Sequence, residues 1–126
     1  MNSPHILIAD DHAHIRRLVQ QCLQRGGFES FHFATTGGEM LQLARECGAD
    51  LVILDFDMPE MDGLTALREL RADACLRHIP VIMMSGFGRF HACMDACALG
   101  ADEVLPKPFA PSALLESVGR ILGAAV

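Results

Sequence analysis

Apolar residues along this chain form five short runs, each about as long as a β-strand. The runs, which we predict to be strands, are Ile6–Ala9, Phe31–Ala34, Leu51–Leu54, Val81–Met84 and Glu103–Leu105. The first, third and fourth runs are apolar throughout, which is typical of strands covered on both faces by other elements. These three runs therefore indicate the buried centre of a sheet.

Between the runs, apolar residues recur every three or four positions, which is the spacing of one helical face. We predict helices around Ile15–Leu23, Gly38–Cys47, Leu64–Leu70, Phe90–Leu99 and Leu114–Leu122. Pro111 suits the first turn of the last of these. Because strands and helices alternate, the pattern predicts parallel strands joined by right-handed crossovers, with helices on both faces of one sheet. The fold class is therefore a three-layer α/β domain.

Length, composition and charge narrow the class of protein further. A chain of 126 residues suits a single domain spanning 1–126, and we expect no output domain within it. With 51% hydrophobic and 21% charged residues, the chain has the balance of a folded protein and not of a disordered one. The formal net charge of -6 argues against direct binding of nucleic acid.

Membrane insertion and disulfide bonding are both disfavoured by the sequence. No apolar run approaches the ~20 residues of a membrane span, and the N-terminus lacks the pattern of a signal peptide. We therefore expect a cytoplasmic protein with no membrane partner.

The five cysteines are scattered without a CxxC pair, which favours reduced thiols. Cys93 and Cys97 lie one helical turn apart, but we interpret them as small core residues and not as metal ligands.

Polar side chains that could bind a metal ion or take part in a reaction follow four of the five predicted strands. Asp10 and Asp11 follow the first strand, Asp55 the third and Ser85 the fourth, while the fifth leads into Lys107. In an open parallel sheet the carboxyl ends of the strands share one edge, and ligands bind there. We therefore expect these five side chains to meet at that edge.

Three carboxylates at one edge repel one another unless a cation neutralises them. Mg²⁺ prefers oxygen ligands and is commonly held by one or two carboxylates plus a phosphate, so the pattern predicts a magnesium-dependent phosphoryl-transfer site. Asp55, at the end of the central run, is the candidate nucleophile and would become an aspartyl phosphate. His12 and His14 follow the acidic pair, and an imidazole there could ligate a metal or shuttle a proton. We interpret both as ordinary loop and helix-start residues, because the carboxylates already account for a hard cation.

Four segments, taken together and in order, resemble the receiver domain of bacterial two-component response regulators over nearly the whole chain. They are "ILIADDHAHIRRL", "LVILDFDMPEMDG", "VIMMSG" and "LPKPF". The resemblance implies a flavodoxin-like, doubly wound, five-stranded parallel sheet with strand order 2-1-3-4-5. It also implies that Asp55 is the phosphoacceptor, that Asp10 and Asp11 are the acidic pair at Mg²⁺, and that Asp57 offers its main-chain carbonyl to the metal.

The resemblance assigns the remaining site residues as well. Ser85 matches the hydroxyl residue that follows the phosphoryl group, and Lys107 matches the family's lysine, whose bond to Pro108 is expected to be cis. Three residues before the lysine the family commonly has Tyr or Phe, but this chain has Val104. Because valine is short and stiff, we expect its part in the switch to be small. We expect the signal to leave the site through the backbone from Gly86 to Arg89 and through the surface of the fourth helix, the fifth strand and the fifth helix.

The implied function is that of a phosphoacceptor in a two-component phosphorelay. Asp55 would receive a phosphoryl group from a histidine kinase or a histidine phosphotransfer protein and would then change the binding of a downstream protein. No enzymatic activity is expected beyond self-directed phosphotransfer and autodephosphorylation. A dimer formed on phosphorylation is left open.

Two alternatives from other functional classes remain at this point. The first is a haloacid-dehalogenase-like phosphatase that uses Asp55 and Asp57 as nucleophile and general acid. Met58 and Pro59, which follow that pair, depart from the phosphatase pattern. Asp10 and Asp11 depart from it as well, because the metal-binding acids of those phosphatases follow the lysine in the chain. The second alternative is an interaction module that keeps the fold without being phosphorylated.

Overall fold

A computed structural model describes residues 4–86, 91, 94–95, 98 and 100–123. Most of the helix predicted at Phe90–Leu99, including Cys93 and Cys97, lies outside these described residues. So does the segment 87–89, through which we expect the signal to leave the site.

The described strands form one five-stranded parallel sheet in the order β2-β1-β3-β4-β5, as predicted. They are β1 (His5–Ala9), β2 (Ser30–Ala34), β3 (Leu51–Asp55), β4 (Val81–Ser85) and β5 (Glu103–Pro106). Each predicted strand is present, and β3 and β4 each extend by one polar residue beyond the apolar run. Asp55 lies opposite Met84 in the β3–β4 register, so its backbone is fixed by the ladder and not by a loop.

The helices within the described ranges connect or follow these strands. They are α1 (Ala13–Arg25), α2 (Gly37–Cys47), α3 (Gly63–Ala72) and the C-terminal helix α4 (Pro111–Leu122). Thr36 caps α2 by accepting a hydrogen bond from the backbone N–H of Glu39 at 3.1 Å. Pro111 occupies the first turn of α4, as predicted.

Alternate residues of the central strands pack on opposite faces of the sheet, which produces two apolar cores. Val52 and Leu54 of β3 lie in the core formed with α2 and α3, whereas Leu51 and Ile53 lie in the core formed with α1 and α4. The helices therefore cover both faces, as the alternation of elements predicts. Val104 is half-buried and packs against the α2–α3 core. None of the helices in the described part of the chain is long and apolar enough to cross a membrane.

Candidate functional site

The structure brings polar side chains from four strand ends to one edge of the sheet. Asp10 directly follows β1, Asp55 ends β3, Ser85 ends β4 and Lys107 directly follows β5. Asp10 and Ser85 are 0% exposed and Asp55 is 2% exposed. Such burial of carboxylates is costly unless charge or hydrogen bonds compensate it, so this edge is held for a purpose other than packing.

Lys107 supplies part of that compensation by bridging two of the acids. Its Nζ lies 3.0 Å from Oδ1 of Asp55 and 3.1 Å from Oδ2 of Asp10. Its backbone N–H donates to the carbonyl of Ser85 at 2.6 Å, and the Lys107–Pro108 peptide bond is cis, as the resemblance implies. The lysine is thereby joined to the ends of three different strands.

The pKa values of Asp55 and Lys107 reflect this arrangement. Burial and the neighbouring charge of Asp10 raise the pKa of Asp55 to about 6, although the Lys107 ammonium and the backbone N–H of Asp57 act to lower it. Burial alone would lower the pKa of Lys107, but its hydrogen bond to Asp55 and the two carboxylate charges raise it above the ordinary value. Lys107 therefore stays protonated, and one positive charge does not fully compensate the acids.

Four ligand groups in this cluster are close enough to share a cation. One ligand atom from each of Asp10, Asp11, His12 and Asp55 lies within 4.8 Å of the others. The oxygen-rich donor set fits Mg²⁺. Asp57 lies two residues beyond the end of β3, and its predicted use of a main-chain carbonyl as a metal ligand stays a prediction.

Asp10 also has contacts that sequence reasoning missed. Its Oδ1 accepts the backbone N–H of His12 at 2.9 Å, which is the pattern of an Asx turn, and its carbonyl accepts a hydrogen bond from Arg16 at 2.6 Å. The sequence signal for this turn is an aspartate two residues before His12, the residue that precedes α1. Asp10 therefore helps to begin α1 in addition to contributing charge at the site.

Ser85 carries the clearest sign of a missing partner. Its Oγ is buried and has no hydrogen-bond partner within the described part of the chain. An unpaired buried hydroxyl costs about 1–3 kcal/mol, so it is expected only where a ligand or a conformational change completes the bond. An incoming phosphoryl oxygen at the same sheet edge would do so.

Gly63, which sequence reasoning did not include in the site, fixes the backbone at the end of β3. Its N–H donates to the carbonyl of Phe56 at 2.9 Å. A Cβ at this position would overlap the carbonyl oxygen of Asp55 and lie 2.8 Å from the Cα of Phe56. The loop after β3 can therefore return this closely to Asp55 only with glycine at position 63.

We expect Gly63→Ala to lower the free energy of unfolding by about 2–3 kcal/mol, since backbone atoms must move to admit the methyl group. Gly38→Ala is the matched control, because a Cβ at that helical position meets no atom within 4 Å. Alanine there should stabilise α2 by about 0.5–1 kcal/mol. Urea denaturation measures both changes, and equal stability of Gly63→Ala and the unmodified chain would contradict the close-approach argument.

Comparison with known proteins agrees with this geometry. The family model described as "Response regulator receiver domain" matches residues 6–119. The chain is 38% identical to chemotaxis protein CheY of Bacillus subtilis over 118 residues, covering 93% of this chain and 96% of that protein. It is 32% identical to chemotaxis protein CheY of Pseudomonas aeruginosa, covering 92% of this chain and 94% of that protein.

Solved structures show the same relationship. The receiver domain of NtrX from Brucella abortus superposes with a TM-score of 0.86 at 30% identity, covering 95% of this chain and 99% of that one. Chemotaxis response regulator CheY4 of Vibrio cholerae gives a TM-score of 0.85 at 30% identity, covering 96% of this chain and 100% of that one. With the family model, these matches show that the chain belongs to the response regulator receiver domain family of two-component signalling proteins.

Proposed function

We propose that Asp55 is the phosphoacceptor of this receiver domain and takes a phosphoryl group from the phosphohistidine of a histidine kinase or histidine phosphotransfer protein. The observation that carries the proposal is the position of the Asp55 carboxylate, buried at the sheet edge, 3.0 Å from the Lys107 ammonium and clustered with Asp10 and Asp11. A cytoplasmic location and the absence of any other catalytic activity are parts of the same proposal.

Asp10, Asp11 and Asp55, together with the main-chain carbonyl of Asp57, would hold Mg²⁺. When bound, this ion offsets the negative charge of the phosphoryl oxygens and of the acids around them. The fit rests on the oxygen donors within 4.8 Å and on the carboxylate charge that Lys107 leaves uncompensated.

The chain's own residues account for the transfer step. A carboxylate oxygen of Asp55 attacks phosphorus, the bond from phosphorus to the donor's imidazole nitrogen breaks, and its electron pair stays with the donor. With a pKa of about 6, Asp55 is mostly ionised near neutral pH and can act as the nucleophile. Lys107 places a positive charge beside the transferred group, and the Ser85 hydroxyl can donate to one of its oxygens.

The same contacts suggest how phosphorylation changes partner binding. A phosphoryl group brings about 1.5–2 negative charges and strong acceptor oxygens next to Lys107 and Ser85. Lys107 would exchange its contacts with the two acids for the phosphoryl oxygens, and the Ser85 hydroxyl would gain one of those oxygens as a hydrogen-bond partner. Because the backbone N–H of Lys107 donates a hydrogen bond to the Ser85 carbonyl, the ends of β4 and β5 would move together. A downstream protein, or a second copy of the chain, would read that movement.

The proposal is tested by incubating the chain with acetyl phosphate and Mg²⁺ and recording its intact mass. We expect addition of one phosphoryl group, and a parallel sample containing a chelator should stay unmodified. Peptide mapping after trapping of the acyl phosphate should place the label on Asp55. Labelling elsewhere or labelling that ignores Mg²⁺ would sink the proposal. Sustained release of phosphate from aryl phosphates would favour the phosphatase alternative. Complete absence of labelling would favour the non-phosphorylated interaction module.

A further inference from the structure

The imidazole of His12 lies against the acidic pair, which the sequence-based interpretation of a plain helix-start residue does not explain. Its Nδ1 is 3.1 Å from Oδ1 of Asp10 and 3.2 Å from Oδ1 of Asp11. His12 is the residue before α1, but its side chain makes no capping hydrogen bond to that helix. The ring is therefore directed towards the carboxylates for a reason other than helix capping.

These distances match those between neighbouring ligands of one metal ion. Ligand atoms ~2.1 Å from a common ion are ~3.0 Å apart at adjacent octahedral corners and ~3.4 Å apart at tetrahedral corners. The two separations from Nδ1 fall between these values. His12 also supplies one of the four ligand atoms that lie within 4.8 Å of one another.

The exposure of the ring is compatible with ligation. The side chain of His12 is 54% exposed, and its edge contacts the ring of His14 with centroids 5.7 Å apart. The ring is therefore not fixed in the apolar core and can turn its Nδ1 lone pair towards an ion between the two carboxylates. Ligation through Nδ1 requires the hydrogen of the neutral imidazole to lie on Nε2, which leaves the Nδ1 lone pair free for the ion.

We propose that His12 is a metal ligand through Nδ1 and that it makes this site select borderline transition cations, with Zn²⁺ as the representative ion, over Mg²⁺. The inference rests on the proposed function, because it assumes that Asp10 and Asp11 face the bound cation. Mg²⁺ gains little from an imidazole nitrogen, whereas imidazole is a preferred ligand of Zn²⁺ and its neighbours in the first transition row. A nitrogen added to an oxygen site therefore changes which ion binds.

The direct test is nuclear magnetic resonance of the histidine ring nitrogens during separate titrations with Zn²⁺ and Mg²⁺. Signals of His12 are assigned by their loss in His12→Ala. We expect Nδ1 of His12 to shift strongly with Zn²⁺ and weakly with Mg²⁺, because only Zn²⁺ takes its lone pair. The readout is local, so zinc bound at a cysteine or at another histidine does not disturb the result.

Affinity provides the second measurement, read from the backbone amide of Asp11 in each variant. His12→Ala should lower the ratio of Zn²⁺ to Mg²⁺ affinity by at least about 10-fold. His12→Asn should do the same while keeping a residue that suits the position before a helix, so loss of α1 cannot explain the change. His14→Ala, which removes the neighbouring ring, should leave the ratio unaltered.

An Nδ1 signal that ignores Zn²⁺, or an affinity ratio equal in His12→Asn and the unmodified chain, would overturn this inference. Labelling of Asp55 with acetyl phosphate and Mg²⁺ in the same preparation reports separately on the proposed function. A chain that is labelled but shows no His12 response overturns the ligand inference alone. A chain that shows the His12 response and resists labelling overturns the phosphoacceptor assignment and leaves His12 as a ligand.

Discussion

Asp55→Asn is expected to abolish phosphorylation completely while leaving the domain folded. Asparagine has the size of aspartate but no carboxylate oxygen to attack phosphorus. It can still accept a hydrogen bond from Lys107, which lies 3.0 Å from Oδ1 in the unmodified chain. Intact mass after incubation with acetyl phosphate and Mg²⁺ measures the effect.

The matched control is Glu69→Gln, which removes an exposed carboxylate from α3 on the surface. Glu69→Gln should be phosphorylated to the same extent as the unmodified chain. This result would show that the effect of Asp55→Asn comes from loss of the nucleophile and not from loss of one negative charge. Labelling of Asp55→Asn to the same extent as the control would show that the acceptor is another residue.

Without metal, Asp55→Asn should be more stable than the unmodified chain above pH 6, and the gap should close as the pH falls. The pKa of Asp55 is raised from its ordinary value of 3.8 to about 6 in the fold, so the folded state binds the proton more tightly than the unfolded chain does. The contribution of Asp55 to stability is favourable below about pH 4 and is lost as the pH rises through 6. The shift corresponds to about 3 kcal/mol. Denaturant titrations of both proteins at pH 4.5 and pH 7.5, with a chelator present, test this; a constant gap would refute the raised pKa.

Most of the site's location follows from the sequence, because parallel topology fixes which strand ends meet. Once apolar runs and helical spacings alternate, Asp55 and Lys107 must lie at the same edge although 52 positions separate them in the chain. Neither residue needs an exact side-chain position for that conclusion. The ladder that places Asp55 opposite Met84 then removes the remaining freedom of its backbone.

Side-chain contacts within the loops do not follow from periodicity, and these are what sequence reasoning missed. The Asx turn at Asp10 and the rotation of His12 towards the acids depend on local torsions that a pattern of apolar residues does not contain. The requirement for Gly63 depends on how closely the loop after β3 returns to the carbonyl of Asp55. Such distances are set by packing of α3 on the sheet, which is a property of the whole fold.

Asp11→Ala and Asp10→Ala are expected to have opposite effects on the stability of the metal-free domain, although both should weaken Mg²⁺ binding. The side chain of Asp11 is 32% exposed and contacts the imidazole of His12, whereas that of Asp10 is 0% exposed. Removing Asp11 takes one negative charge from a repelling cluster at little cost in packing.

For Asp11→Ala we therefore expect an unchanged or higher melting temperature and a loss of Mg²⁺ affinity of about 100-fold, since carboxylates are the principal ligands of this ion. Asp10→Ala removes the acceptor of the His12 backbone N–H and one of the two contacts of the Lys107 ammonium. Loss of these bonds should cost about 1–3 kcal/mol, even though the repulsion on Asp55 also falls. Asp10→Asn, which keeps an acceptor for the N–H, should recover part of the stability without recovering Mg²⁺ binding. Thermal unfolding with a chelator and isothermal titration with Mg²⁺ separate the two roles. If Asp11→Ala were less stable than Asp10→Ala, the metal-free fold would depend on Asp11 and not on Asp10.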